Sequence, residues 1–397
     1  MTASEWPGAP FRVETSEAVL TDLRERLERT RLPSEQAGPD WKTGTPISYA
    51  ARLRDYWLQE FDWRSWEARI NAFEQRMVEL DGQRIHVIVE RGSGERPLPL
   101  ILSHGWPGSF MEFIDLVDRL AHPERHGGQV ADAFTVVIPS LPGYGFSPPP
   151  AEPLSPAVIA RLWSKLMVEA FGFDCYVAYG SDWGSLITAR LALNHPERLA
   201  GFLITTPGSG PEFTANAPLT AEEDAFWREA QAKMAPESAY QAVQATKPQS
   251  LAYGHTDSPI ALAAWVIEKF HGWTTPEASA DPPFSMDVLL ANVMLYWLNG
   301  SVAPMWLYMF LAESFTIPHG RKVQTPGGFL FAPDDISIPP PRSWLERMYE
   351  NISYYRVAGH GGHFPSLDNA DLLVTELRGF LHSLACGSRP GSSVSGS

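Results

Sequence analysis

The sequence predicts an α/β protein whose central sheet is mostly parallel, with helices on both faces. Three observations carry this. Short, nearly continuous apolar runs recur at Leu98 to Leu102, Phe134 to Ile138, Cys175 to Tyr179, Phe202 to Thr205, Phe329 to Phe331 and Tyr354 to Val357. A strand that is apolar throughout is buried on both faces, as in a parallel sheet between helix layers. Helical patterns lie between several of these runs, most clearly Ser155 to Phe171, with Ser155 as N-cap, Pro156 at the first helical position and Gly172 just past the end. Finally, Gly180-Ser181-Asp182-Trp183-Gly184 joins an apolar run directly to a helical segment rich in Ala and Leu, Ser185 to Leu193.

Taken in order, residues 1–76 read as a helical extension. Leu20, Leu23 and Leu27 recur at helical spacing, then Leu53, Tyr56, Trp57 and Phe61, then Trp66, Ile70 and Phe73. A linker rich in Gly, Pro and Ser, around Pro33 to Pro46, separates the first group from the second. Such a segment has no core of its own and is expected to wrap the main body. From Met77 the period changes to alternation, and Asp81-Gly82 marks a two-residue hairpin turn. The first part of the sheet domain is expected over 77–207 and the second over 321–385. Between them, 208–320 loses the strand pattern and becomes helical and aromatic, as in Ala263-Ala264-Trp265-Val266-Ile267 and Met294-Leu295-Tyr296-Trp297. This stretch reads as a lid inserted between strands, roofing a pocket. A last helix is expected over Leu367 to Leu384, and the Gly/Ser-rich residues 386–397 read as a disordered tail.

Of the 397 residues 44% are hydrophobic and 19% charged, enough for a sizeable core, and the net charge is −15. No run of Lys and Arg offsets that acidity, which argues against nucleic acid and anionic membrane as partners. The two cysteines, Cys175 and Cys386, make no disulfide framework and suggest a reduced, intracellular setting. Met1 to Glu14 lacks a signal pattern, and no run approaches the roughly 18 apolar residues of a membrane span. No P-loop is visible. His360-Gly361-Gly362-His363 is the one His pair suggestive of metal and lacks an obvious third ligand, so neither metal nor cofactor is expected.

The chemistry gathers at Asp182. Glycines two residues before and two after it, between a strand and a helix, give the spacing of a nucleophile elbow. A carboxylate attacking an sp3 carbon gives an ester whose carbonyl can be hydrolysed, whereas a serine would leave a stable ether. An elbow of this type is followed in chain order by an acid and a histidine. Asp334 and Asp335 follow the run Phe329 to Phe331, and His363 follows Tyr354 to Val357. His363 is then the general base on a water, with a carboxylate orienting its ring. Ser103-His104-Gly105-Trp106-Pro107-Gly108 supplies the electrophilic side, with the backbone N–H groups of Trp106 and Trp183 forming an oxyanion hole. His104 reads as structural, and Leu141-Pro142-Gly143-Tyr144-Gly145 as a pocket-shaping turn.

These residues resemble the microsomal-type epoxide hydrolases of the α/β-hydrolase superfamily. The resemblance spans nearly the whole chain through the N-terminal extension, His104-Gly-Trp-Pro-Gly108, Asp182-Trp-Gly-Ser185, Gln244-Ala-Thr-Lys-Pro-Gln249, Asp257-Ser-Pro259 through Glu268-Lys269, and Gly361-Gly-His-Phe364. It implies an α/β-hydrolase fold and a cofactor-free hydrolysis of an epoxide to a vicinal diol through an ester on Asp182. It also implies two lid tyrosines that hydrogen-bond the epoxide oxygen, matching Tyr240 and Tyr308, with Tyr253 and Tyr296 as competitors, and it favours Asp335 over Asp334 as the acid. Ser181 stands where the family usually has a second glycine. Relatives with a membrane anchor carry it ahead of the extension, and its lack here suggests a cytoplasmic enzyme. The aromatic lid suggests a lipophilic or aryl epoxide, and enediyne biosynthesis in secondary metabolism is an analogy with some members. The partner expected is a small-molecule epoxide, with a homodimer as the assembly considered. A haloalkane dehalogenase with the same Asp nucleophile is the rival enzyme, and a non-catalytic binding protein on the same fold is the rival of another class.

Overall fold

The computed structural model describes residues 6–34, 41–208, 218–274, 281–314, 317, 321–381 and 384. The tail at 386–397 and residues 35–40 of the expected linker lie outside them. A single sheet runs through the molecule: β1 (Ala9–Pro10), β2 (Glu74–Leu80), β3 (Gln83–Glu90), β4 (Leu98–Ser103), β5 (Phe134–Pro139), β6 (Tyr176–Gly180), β7 (Leu199–Ile204), β8 (Gly327–Phe331) and β9 (Ile352–Val357). Their order across it is β1-β2-β3-β5-β4-β6-β7-β8-β9. From β5 to β9 every neighbour is parallel, and β1, β2 and β3 continue the edge antiparallel. The central strands β5 and β6 are buried at every position, which is why they read as unbroken apolar runs.

The hairpin turn Asp81-Gly82 has both residues at positive φ, 51° and 78°, the twist-matched geometry that an Asp-Gly pair favours. The helix read from Ser155 begins as expected: α5 is Pro156–Lys165, and the Ser155 hydroxyl accepts from the Val158 N–H. It then loosens into a π-helical turn over Leu166–Ala170. The final helix is Ala370–Leu381, entered through a separate turn at Pro365–Asp368.

Two findings differ from the sequence expectations. The N-terminal region is not helical throughout: α1 (Glu17–Glu28), α2 (Ile47–Gln59) and α3 (Trp63–Ile70) are preceded by β1 and followed by β2, which starts at Glu74. A two-residue strand is too short to show a period, yet by pairing Ala9 with Met77 it covers part of the sheet edge. This region also grips the lid as well as the sheet body. Arg26 on α1 donates to the Asp257 carbonyl at 2.9 Å, Thr45 to the Ala264 carbonyl at 2.8 Å, and the Tyr56 hydroxyl to Asp287 at 2.9 Å. The second difference is Cys175, which is disulfide-bonded rather than reduced, its partner outside the described residues.

Between β4 and β7, α4 (Ile114–Ala121), α5 and α6 (Trp183–Asn194) cover the sheet. The segment between β7 and β8 is helical: α7 (Ala221–Met234), α8 (Ala239–Thr246), α9 (Pro248–Asp257), α10 (Pro259–Gly272) and α11 (Met286–Asn299), followed by a short 3-10 turn at Trp306–Phe310. Among the described residues no single helix is long and apolar enough to cross a membrane; α11 and Val302–Glu313 reach the length only as a pair bent by 100°.

Candidate active site

Asp182 sits at the sharp turn between β6 and α6 with φ 49° and ψ −126°, a strained conformation for a residue with a side chain. Its neighbours permit this because they are small. A side chain at Gly184 would overlap the Ser103 carbonyl, and one at Gly105 would overlap the Asp182 carboxylate itself. The parallel register of β4 and β6 pairs Ser103 with Gly180, so the loops leaving the two strands meet at that carboxylate. The backbone N–H of Trp106 donates to Asp182 Oδ1 at 2.8 Å. Trp183 is the first residue of α6, so its N–H belongs to the donors that a helix leaves without internal acceptors.

The other carboxylate oxygen faces the histidine. His363 Nε2 lies 3.3 Å from Asp182 Oδ2, and His363 Nδ1 lies 2.8 Å from Asp335 Oδ1. Of the adjacent aspartates, Asp335 is therefore the partner of the ring, and it is buried; Asp334 instead donates its backbone N–H to the Gly361 carbonyl at 3.1 Å. Burial alone would lower the His363 pKa, but the carboxylates of Asp335 and Asp182 outweigh it and hold the imidazole well above its ordinary value. Both carboxylates thus favour the protonated ring.

Backbone contacts fix the histidine loop. The His363 N–H donates to the Trp273 carbonyl at 2.8 Å, and Gly362 N–H donates to Asp368 at 2.9 Å. His104 is fully buried, with Nε2 accepting from the Leu141 N–H at 3.2 Å, and burial lowers its pKa to about 4. It is a neutral structural acceptor that ties the Trp106 loop to the turn after β5.

The lid supplies the roof. Tyr240, on α8, stacks on Trp106 with centroids 5.1 Å apart and planes at 12°. Tyr308, in the turn Trp306–Phe310, meets Trp106 edge-on at 5.7 Å and Trp183 at 5.0 Å. The two phenol rings are 5.5 Å apart. Their hydroxyls influence each other's ionisation without reaching hydrogen-bond geometry, and the Tyr308 hydroxyl is buried with no partner among the described residues. Burial, with the Asp182 carboxylate adding to it, holds both phenols above the ordinary tyrosine value, so both are protonated donors at neutral pH. The competitors stand elsewhere. Tyr253 is 72% exposed, and the Tyr296 hydroxyl is committed to the Gly108 carbonyl at 2.7 Å.

Sequence reasoning missed several residues here. Asn292, on α11, donates to the Pro107 carbonyl at 2.8 Å and accepts from Ser109 at 2.6 Å, so a lid helix fixes the loop that carries the Trp106 N–H. Glu112 is buried behind the site, and burial raises its pKa to about 8. Its only signal was a carboxyl inside the apolar run Phe110-Met111-Glu112-Phe113. Ser181 is buried with an unpartnered hydroxyl, and the structure gives no account of why it replaces glycine. Among the described residues no group of three His, Cys, Asp or Glu could hold a metal ion.

A parallel sheet with a carboxylate elbow, an acid and a histidine at the carboxyl ends of successive strands is an α/β-hydrolase fold, and residues 99–258 match the family model described as "alpha/beta hydrolase fold". Residues 8–113 match a second model, "Epoxide hydrolase N terminus". The chain is 31% identical to "Epoxide hydrolase 1" of Oryctolagus cuniculus over 94% of its own length and 88% of that protein. It is 37% identical to a candidate epoxide hydrolase of Stigmatella aurantiaca, over 93% of its length and 83% of the relative. Among solved structures, the Aspergillus niger epoxide hydrolase superposes with a TM-score of 0.81 at 29% identity, covering 97% of this chain and 98% of that one. The juvenile hormone epoxide hydrolase of Bombyx mori superposes with a TM-score of 0.83 at 27% identity, covering 97% and 99%. The chain belongs to the microsomal-type epoxide hydrolases, and it is an enzyme of that class.

Proposed function

We propose that the enzyme converts a lipophilic or aryl epoxide to a vicinal diol through a covalent ester on Asp182. The observation that carries this is the sharing of the Asp182 carboxylate, with Oδ1 on the Trp106 N–H and Oδ2 beside His363, beneath a roof bearing two protonated phenols. Asp182 Oδ2 forms a bond to a ring carbon as the C–O bond breaks. The departing oxygen takes the electron pair and a proton from a lid phenol, because an alkoxide is a poor leaving group. The aromatic walls, Trp106, Trp183 and Trp273, suit an apolar substrate body.

The charges of the resting site set the order of events. While Asp182 is ionised it favours the protonated ring, which is a poor base. Alkylation turns that carboxylate into a neutral ester and removes one of the two groups raising the imidazole. His363 then loses its proton more readily and accepts one from a water that attacks the ester carbonyl, with Asp335 steadying the imidazolium formed. The charge developing on Oδ1 is met by the Trp106 N–H and by the free first-turn donor of Trp183. Collapse releases the diol and Asp182, and the surplus proton returns to the phenolate.

A haloalkane dehalogenase would use the same Asp, but halide leaves without a proton, and the two roofing phenols favour the epoxide. The place in secondary metabolism rests on the resemblance alone. The test is a single turnover in 18O-labelled water with enzyme in excess. The label is expected in the peptide containing Asp182 and not in the first diol formed; label in the diol with an unlabelled Asp182 would mean direct attack by water.

A further inference from the structure

Lys269, on α10, is an unusual lysine. Its side chain is only 7% exposed, with Nζ 2.6 Å from Glu268 Oε2 and 3.3 Å from Glu237 Oε2. Burying an ammonium with its counterions seldom stabilises a fold more than an apolar side chain of the same volume would. Stability alone therefore gives a weak reason for its presence. Its position gives a better one, because Nζ lies 4.8 Å from the ring centroid of Tyr240 and 5.8 Å from that of Trp273. Among the described residues no Lys or Arg is placed over the ring of Tyr308.

Resting on the role given above to the lid phenols, we propose that Lys269 is a positioning residue for ring opening, and that it makes Tyr240, rather than Tyr308, the phenol that gives up its proton. A cation over an aromatic face is attracted to the neutral ring and more strongly to the phenolate that remains when the proton leaves. It therefore stabilises the transition state of transfer more than the resting phenol. The carboxylates of Asp182 and Glu237 act in the opposite sense, holding its proton on. Lys269 offsets them, and Glu237 and Glu268 keep the ammonium from turning toward solvent. Tyr308 has no such counterweight and is left to donate a hydrogen bond to the same oxygen. The step balances as written above. Asp182 gains a bond to carbon, the epoxide oxygen takes the electron pair and the Tyr240 proton, and the charge once on Asp182 resides on the Tyr240 phenolate beside Lys269.

The experiment is a double-mutant cycle read in single-turnover kinetics, which separates ester formation from ester hydrolysis. Lys269→Met is expected to slow ester formation about thirtyfold, the rate equivalent of a desolvated cation–π contact, and to leave ester hydrolysis unchanged. Lys269→Arg should keep most of the rate. In a Tyr240→Phe background Lys269→Met should cost nothing further, whereas in a Tyr308→Phe background it should retain its full effect. Glu268→Gln/Lys269→Met, which removes the cation together with a carboxylate, carries the same measurement should Lys269→Met fail to fold. An unchanged rate in the charge-removed variants, or an equal loss in the Tyr240→Phe background, overturns the proposal. A wild-type ring-opening rate in Tyr240→Phe alone overturns the role of Tyr240 itself, which is a separate result.

Discussion

Asp182, Asp335 and His363 stand on loops leaving the carboxyl ends of β6, β8 and β9, whereas Tyr240 and Tyr308 hang from the lid, where side-chain packing does the holding. In the sheet half the atoms are placed by backbone: a strained elbow, a strand register and N–H groups of loops that only glycine allows to approach. In the lid half the phenols lean on Trp106, Trp183, Trp273 and one another. The halves correspond to the two chemical steps. Ester hydrolysis needs the sheet residues, and ring opening needs the lid as well. Asn292 and Tyr296 join them by anchoring the Trp106 loop to α11.

Substitutions in each half should therefore damage different steps. The largest effect is expected at Asp335. Asp335→Asn leaves the imidazole without its carboxylate partner and should slow ester hydrolysis by about 10³ to 10⁴-fold, by analogy with other histidine-orienting acids, while ester formation continues. Asp334→Asn should leave both steps close to wild type. Rapid-quench measurement of the two steps decides, and a reversed pattern would move the acid by one residue.

A smaller, opposite effect is expected in the lid. Tyr240→Phe and Tyr308→Phe should each slow ring opening, by up to about 10²-fold for the proton donor, and leave hydrolysis of a preformed ester unaltered. A loss in both steps alike would show that the lid shapes the whole site rather than one event in it.

The least effect on turnover, and a distinct effect on stability, is expected at Glu112. Its carboxyl has an ordinary value of 4.5 and is raised by burial to about 8, so the fold favours its protonated form. That contribution is complete below about 4.5 and is lost as pH rises through about 8, because the folded chain binds the extra proton in between. Glu112→Gln, which mimics the protonated acid, should narrow the fall in Tm between pH 5 and pH 8 by a few degrees. Parallel Tm profiles for the two proteins would place no such group in the sheet half.

The sheet half was also the legible half. Flanking glycines, the alternation of buried runs with helices, and the chain order of Asp182, an acid and His363 point to backbone geometry, and backbone geometry leaves a local trace in sequence. The choice of Asp335 over Asp334 came with the resemblance, since both are polar neighbours in one loop, and the fold shows Asp335 to be the buried one. Tyr240 and Tyr308 are 6% and 2% exposed, indistinguishable by periodicity from core aromatics, so resemblance alone singled them out. Glu112 was missed, and Lys269 was given no role, for the converse reason: a charged residue reads as solvated until its surroundings are seen. The grip of α1 and α2 on the lid depends on residues more than 200 positions apart, such as Arg26 with Asp257, and no local pattern announces it.

The division of labour between the halves is tested most directly by His363→Gln. Asp182 remains ionised and the phenols remain in place, so the first step proceeds, while the second loses a proton acceptor that contributes about 10² to 10⁴-fold. With a suitable epoxide, intact-mass measurement should show the variant heavier by one whole substrate molecule, the added mass mapping to the peptide that contains Asp182. The contrary result is a variant that forms no adduct with any of a panel of epoxides that the wild-type enzyme converts to diols. Water would then attack the epoxide directly, and Asp182 would not be the nucleophile.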